Sequence, residues 1–199
     1  MAFDLASQVY FIRHGQTDWN AENRLQGQAD TDLNAFGRAQ ASANGVKLKG
    51  LIGDALGFDF VSSPMKRTRE TMERVRENMG LPRDGYRTDP RLVEINFGEW
   101  QGYTFEELDL REPGASAVRA KDKWNFVPPG EGAQSYATLT ERVRTWFEEL
   151  DRPTVCVSHG GVMRSIIRLA TDMPENDVGA LSIPQDRILV FRDRKAVWL

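Results

Sequence analysis

The chain has 199 residues and only two histidines, and both stand in the same local setting. His14 follows the apolar run Val9–Ile12 and Arg13, and precedes Gly15. His159 follows the apolar run Thr154–Val157 and Ser158, and precedes Gly160-Gly161. Taken singly, such a histidine could be satisfying a hydrogen bond at a turn. Taken together, and with an arginine at matching junctions (Arg13, and Arg67 in Ser62–Arg67), they ask for a shared chemistry. Guanidinium groups bind phosphate oxygens in a planar, bidentate way. A helix opening after a glycine, as at Gly160, adds backbone N–H donors and a dipole that favours an anion. A neutral imidazole can attack phosphorus, and neighbouring cations disfavour its protonated form. The set suits phosphoryl transfer through a phosphohistidine.

That chemistry requires elements that bring distant residues together. Apolar spacing predicts strands at Val9–Ile12, Phe58–Val61 and Thr154–Val157. Asn34 reads as the N-cap of a helix whose apolar stripe is Phe36, Ala39, Ala43 and Val46. Ser63-Pro64 reads as N-cap and first-turn proline of a second helix, with Met65, Thr68, Met72, Val75 and Met79 on one face. A helix over Ser135–Leu150 turns Leu139, Val143, Trp146 and Leu150 inward, and another runs over Val162–Ala170. Ile188–Phe191 and Ala196–Trp198 read as a hairpin around Asp193-Arg194. The stretch from Arg91 to Gly130 reads as loops and short helices folded over the rest. Alternating strands and helices predict an α/β three-layer sandwich, with a mostly parallel central sheet flanked by helices. Ligands of such sheets sit beyond the carboxyl ends of the strands. Parallel strands would therefore gather Arg13, His14, Arg67 and His159 on one edge.

Bulk properties narrow the class. Net charge is -3, so the chain lacks the global basic field of a nucleic-acid binder. Its single cysteine, Cys156, precludes an internal disulfide and reads as inert core. The first eight residues, MAFDLASQ, lack the basic-then-apolar pattern of a signal peptide. No apolar run approaches the roughly 18–20 residues of a membrane span. A cytoplasmic protein is expected, with no membrane or nucleic-acid partner; oligomeric state has no signature.

Rival chemistries fail on spacing. The sixth residue after Cys156 is Val162, where a cysteine phosphatase needs arginine. The first strand ends in Arg13-His14, where an aspartyl-phosphate enzyme needs aspartate. Gly45, Gly50, Gly53 and Gly57 lack the Gly-Lys-Ser/Thr ending of a P-loop. A zinc hydrolase usually needs more imidazoles or thiols. Of the basic run Lys66, Arg67, Arg69 and Arg74, only Arg67 is placed to reach the strand tips; the rest read as a solvated helix face. Trp100, Tyr103, Trp124 and Phe126 could wall a pocket, but such spacing more often means packing.

Longer motifs carry a resemblance. Arg13-His14-Gly15-Gln16-Thr17-Asp18-Trp19-Asn20 resembles the signature of the histidine phosphatase superfamily, in the branch that includes cofactor-dependent phosphoglycerate mutase. Glu22–Gly27 with Asp30, Leu33 and Gly37 resembles its substrate loop and first helix. Ser62–Thr68 with Glu70-Thr71 is similar to its second arginine motif, Leu92–Gly102 to its acid-bearing loop, and Val157–Val162 to its second histidine motif. The similarity runs from about residue 8 to 168. Two places depart: Asp32 stands where many phosphatase-type relatives have proline, and Pro128–Ser135 replaces a tighter motif, with Gln134 in place of a glutamate.

The resemblance implies roles. His14 becomes the nucleophile, with Arg13, Arg67 and His159 on the phosphoryl oxygens. Asn20, Gln26 and Gly27 line the substrate side, and Gly160 joins them at the second histidine motif. Glu94 becomes the proton donor to the leaving oxygen. The physics agrees, because a bound phosphate dianion favours the protonated form of a neighbouring carboxyl, as a general acid requires. The whole chain, 1–199, is expected to be one domain, with residues about 97–130 forming a partial cap. A mutase must exclude water from its intermediate, and Phe105–Gly130 is short for a closed lid. Water is therefore the expected acceptor: a metal-independent hydrolase of a small phosphomonoester, without cofactor. The alternatives are a phosphoglycerate mutase, with a 2,3-bisphosphoglycerate primer, and a silent phospholigand-binding module.

Overall fold

The computed structural model describes residues 9–199, so the reading of MAFDLASQ lies outside the described residues. Six strands form one sheet: β1 (Val9–Arg13), β2 (Asp59–Ser62), β3 (Arg87–Thr88), β4 (Thr154–Ser158), β5 (Ile188–Arg192) and β6 (Lys195–Trp198). Their order is β3-β2-β4-β1-β5-β6. The first four strands run parallel, β5 is antiparallel to β1, and β6 is antiparallel to β5. Every residue of β4 is buried, as expected of a strand covered on both faces.

Strand side chains alternate between faces, and the two faces build two cores. Ile12, Phe60, Val155, Val157 and Ile188 pack under α2 (Ala35–Ile52) and α3 (Lys66–Met79), against Leu48, Met72 and Val75. Phe11, Val61, Cys156 and Leu189 pack on the other side, against α6 (Tyr136–Phe147) and α7 (Gly160–Ala170). The three-layer α/β sandwich of the sequence reading is the observed architecture. Four shorter helices complete it: α1 (Asp18–Ala21), α4 (Phe105–Arg111), α5 (Ala115–Lys121) and α8 (Glu175–Ala180). No helix among the described residues is long and apolar enough to cross a membrane.

The register levels the strand tips. Arg13 lies opposite Ser158 across β1–β4, and Ser62 opposite Val157 across β2–β4. All three strand-to-helix junctions therefore open on one edge. The C-terminal hairpin turns at Asp193 and Arg194, whose φ angles of 48° and 57° are those of a primed turn.

Several local expectations need correction. Helix α2 is capped by Asn34, whose Oδ1 accepts from Gly37 N at 2.9 Å. Yet Phe36, Ala39, Ala43 and Val46 all face outward, with Phe36 60 % and Val46 61 % exposed. The buried face is Gly37, Ala41, Asn44, Gly45 and Leu48. Small residues win because they allow close approach, Gly45 to α3 at Val75 and Gly37 to the backbone of Gln16. Helix α3 starts at Lys66 with Met65 as N-cap, not at Ser63-Pro64. Its predicted stripe from Met65 to Met79 is buried throughout. Helix α6 is capped by Ser135 but ends at Phe147, leaving Leu150 half-buried beyond it.

These faces predict contrasting costs. Leu48→Ala leaves a hole in a fully buried site and should lose about 2–5 kcal/mol. Phe36→Ala at the exposed face should change stability by no more than about 0.5 kcal/mol. Urea unfolding of both variants checks the assignment.

Candidate active site

A cleft of 230 Å³ lies at the strand tips, lined by Arg13, His14, Asn20, Gln26, Gly27, Arg67, Glu94 and Gly160 among others. Of the nine residues singled out in the sequence, only His159 does not line it. His159 is fully buried beside the cleft, its ring centroid 5.3 Å from that of His14.

His14 is oriented from both sides. Its Nδ1 lies 2.8 Å from Gly15 O, which can only accept, so Nδ1 carries the proton and Nε2 keeps its lone pair. That lone pair faces Arg67 Nε at 3.3 Å. Arg67 is itself fully buried and donates to Ala29 O and Gly27 O, both at 2.7 Å. Gly27 takes φ +53°, and a side chain there would collide with Gln101 Oε1, so the loop packs closely against Gln101. Arg13 Nη1 donates to Ile183 O at 2.7 Å, while its buried Nε has no hydrogen-bond partner.

His159 caps α7 by position. Its Nε2 pairs with Ser63 Oγ at 2.8 Å, and its buried Nδ1 has no partner. That pairing explains why Ser63 is not the cap of α3: its hydroxyl is turned to the imidazole, and Met65 N is 3.5 Å away. Burial pushes both imidazoles well below the ordinary histidine range. Arg67 and then Arg13 add to this at His14, and Arg67, His14, Arg13 and Arg142 at His159. Burial is the larger cause, where the sequence reading credited the arginines.

Glu94 sits on the opposite wall. Its Oε2 accepts from Gly161 N at 3.0 Å and its Oε1 from Ile95 N at 2.9 Å. A Cβ on Gly161 would lie 2.2 Å from Glu94 Oε1, so only glycine lets the carboxyl rest on the first turn of α7. Asn20 Oδ1 accepts from Gln185 Nε2 at 3.0 Å and Thr17 N at 3.2 Å, leaving its NH2 as the free end. Gln26 Nε2 donates to Thr17 Oγ1. No group of three or more His, Cys, Asp or Glu among the described residues is arranged to hold a metal.

The histidine phosphatase superfamily (branch 1) model matches residues 9–197. The chain belongs to that superfamily. Among its relatives, a glucosyl-3-phosphoglycerate phosphatase of Mycobacterium tuberculosis is 33% identical over 182 residues, 85% of this chain and 77% of that one. A metal-independent phosphoserine phosphatase of Arabidopsis thaliana is 29% identical, over 95% of this chain and 78% of that one. Among solved structures, a mycobacterial glucosyl-3-phosphoglycerate phosphatase complexed with VO3 superposes with TM-score 0.78 at 31% identity, covering 98% of this chain and 96% of that one.

Within this histidine phosphatase site, several residues escaped the sequence reading. Arg142 donates to Arg91 O and Val93 O at 2.8 Å and reaches Glu94 O at 3.3 Å, so it holds the segment that carries Glu94 in place. Nothing in its sequence context marks it. Arg164 does carry a signal, being a charge inside the apolar run Val162–Ile167. Gln185 bonds His14 O at 3.0 Å from 171 residues away. Trp100, Tyr103, Trp124 and Phe126 line none of the cleft; they belong to the core or pack against it. Its aromatic walls are Phe97, Phe105 and Tyr136.

The neutral imidazoles set a pH dependence. Above about pH 6.5, the unfolded histidine value, His14 and His159 are neutral in both states. Below it the unfolded chain binds protons that the folded chain refuses, so stability falls with pH. Most carboxylates titrate nearer pH 4. The slope of unfolding free energy between about pH 6.5 and 5.5 should therefore approach that of two protons, and His14→Gln should remove about half of it.

Proposed function

We propose that this chain is a metal-independent phosphomonoester hydrolase acting through a phosphohistidine on His14. The supporting observation is the pairing of a buried, lone-pair-bearing His14 Nε2 with Arg67 Nε at 3.3 Å in a cleft that also holds Glu94.

Phosphoryl oxygens take the place that Arg67, Arg13 and the N-terminus of α7 leave for an anion. Nε2 attacks phosphorus as the ester P–O bond breaks, and the Glu94 carboxyl gives its proton to the departing oxygen. The phosphorylated imidazole keeps Nδ1–H on Gly15 O. Water then attacks phosphorus, Glu94 takes its proton, the P–N bond breaks, and His14 returns neutral. His159 fixes the far side of the oxyanion, oriented by Ser63, and Asn20, Gln26, Gly27 and Gly160 contact the substrate. The arginines supply the positive charge that a metal would otherwise provide, and no cofactor enters the scheme. The Arabidopsis relative's name carries the same metal independence.

The segment 97–130 acts as a partial cap within this single domain. It contributes Phe97, Phe105, Arg119 and Lys123 to the cleft, which continues into a second recess sharing Arg13, Asn20, Arg24, Leu25, Phe105 and Arg164. Such an opening favours water as acceptor over retention of the phosphoryl group for a second substrate. A small phosphorylated substrate fits a cleft below the roughly 300–1,000 Å³ of drug-sized sites.

The test is acid-quench trapping of a phosphorylated enzyme from p-nitrophenyl phosphate. His14→Ala should abolish both label and turnover, which a binding module would never have shown. Glu94→Gln should slow alkyl phosphates by on the order of 10²–10⁴ and p-nitrophenyl phosphate far less, since that leaving group needs no proton. Gly161→Ala, by displacing the Glu94 carboxyl, should reproduce the same selective loss. Equal losses on both ester types would remove the proton-donor role. Isomerisation of 3-phosphoglycerate with a 2,3-bisphosphoglycerate primer, without phosphate release, would make the chain a mutase.

A further inference from the structure

Residues 181–185 join α8 to β5 without regular secondary structure, yet their polar groups are all aimed at the site. Leu181 O accepts from Arg164 Nη2 and Ile183 O from Arg13 Nη1, both at 2.7 Å. Two residues further on, a side chain takes over from the carbonyls. Gln185 Nε2 donates to His14 O and to Asn20 Oδ1, both at 3.0 Å. Helix α2 holds Gln185 from behind, because the buried Asn44 donates from Nδ2 to Gln185 O at 2.9 Å. The phosphoryl chemistry derived above gives Gln185 no part.

Backbone groups fix the direction of each of these hydrogen bonds. Thr17 N can only donate, so the Asn20 atom 3.2 Å from it is the oxygen. His14 O can only accept, so the Gln185 atom 3.0 Å from it is the amide nitrogen. The second N–H of that nitrogen goes to Asn20 Oδ1. Thr17 Oγ1, at 3.3 Å, adds a further donor to the same oxygen. The Asn20 amide is therefore held in one sense, with Oδ1 engaged and the NH2 of a cleft-lining residue left to donate. The His14 main chain is held from both sides as well: its N–H donates to Ser158 O at 2.9 Å, and its carbonyl accepts from Gln185. Gln185 itself lines the adjoining recess and not the cleft that holds His14. A donor fixed before the anion arrives needs no reorganisation when charge develops on it.

Resting on the hydrolase reading, we infer that Gln185 is a positioning residue. It acts through Asn20, turning the amide NH2 toward the phosphoryl group, and through the His14 carbonyl, steadying the main chain of the nucleophile.

A double-mutant cycle tests this. Gln185→Met keeps the length of the side chain and removes both donors. It should lower kcat/KM on p-nitrophenyl phosphate about 10-fold, as expected for one neutral hydrogen bond, and weaken inhibition by orthovanadate by a similar factor. Asn20→Ala should do the same by deleting the donor that Gln185 aims. In the Asn20→Ala background, Gln185→Met should cost no more than about 2- to 3-fold, through His14 O alone, where independent sites would multiply to about 100-fold. Gln185→Glu sets an acceptor against Asn20 Oδ1 and should lose on the order of 10²-fold, more than Gln185→Met. Urea unfolding of each variant checks that it folds, and if Gln185→Met does not, the same cycle run with Gln185→Glu decides. Losses that multiply in the double variant, or a folded Gln185→Met enzyme with unchanged kcat/KM and unchanged vanadate inhibition, would overturn the inference. Trapping of phosphohistidine in the unmodified enzyme reports on the hydrolase reading separately. No label there sinks that reading, whereas a label with multiplying losses sinks only the role of Gln185.

Discussion

One buried guanidinium organises this molecule. Arg67 is fully buried, and burial pushes it down to about 10, yet it remains a cation near neutrality. Taking such a charge out of water is costly unless its donors are used. Ala29 O, Gly27 O and the His14 lone pair use part of them, all neutral acceptors. Arg67 also lines the cleft, where Glu94 and Asp30 favour its charge without forming an ion pair with it. Folding has therefore built a cavity that favours an anion, and the same donors fix the loop at Gly27 and Ala29 to His14.

That loop extends the constraint to Glu94. Gln28 N accepts nothing but donates to Gln101 Oε1 at 2.6 Å, and Gln28 Nε2 donates to Glu94 O at 3.0 Å. From the other side, Ser158 Oγ at the tip of β4 donates to Leu92 O at 2.9 Å, and Arg142 clamps the carbonyls of Arg91 and Val93. The segment around Glu94 is thus tied to the Gly27–Ala29 loop, to the sheet and to α6. Donors and acceptors held this firmly need little reorganisation when charge develops, which is where electrostatic catalysis gains most.

What was legible in the sequence was local. A strand, a histidine, a glycine and a helix follow one another within a few residues at each junction, and parallel topology alone brings His14 and His159 to a ring separation of 5.3 Å. The α3 stripe was legible because Met72, Val75 and Met79 are large and face one way. The α2 face was not. There Gly45 meets α3 at Val75 and Asn78, Gly37 meets the backbone of Gln16, and close approach outweighs the burial of Phe36 and Val46. Ser63 was misread for a related reason: a cap is a local role, and its hydroxyl is taken by His159, 96 residues away. Arg142 and Gln185 act through backbone carbonyls of distant segments, and side-chain type says nothing of such partners.

Charge placement completes the picture. The chain is acidic overall, at -3, so the cationic cleft cannot be a by-product of composition. Elsewhere many arginines are paired: Arg38 and Arg74 with Glu70, Arg91 with Asp89 and Glu149, Arg144 with Glu141. Such exposed pairs contribute little to stability individually, but they cancel charge locally on the outer surface. Arg13, Arg67, Arg119, Lys123 and Arg164 stand apart from that pattern and share one concave, partly dry lining. Low-dielectric walls focus the field of such a group toward the opening. The same buried cations that favour an anion in the cleft add, after burial itself, to holding His14 and His159 neutral.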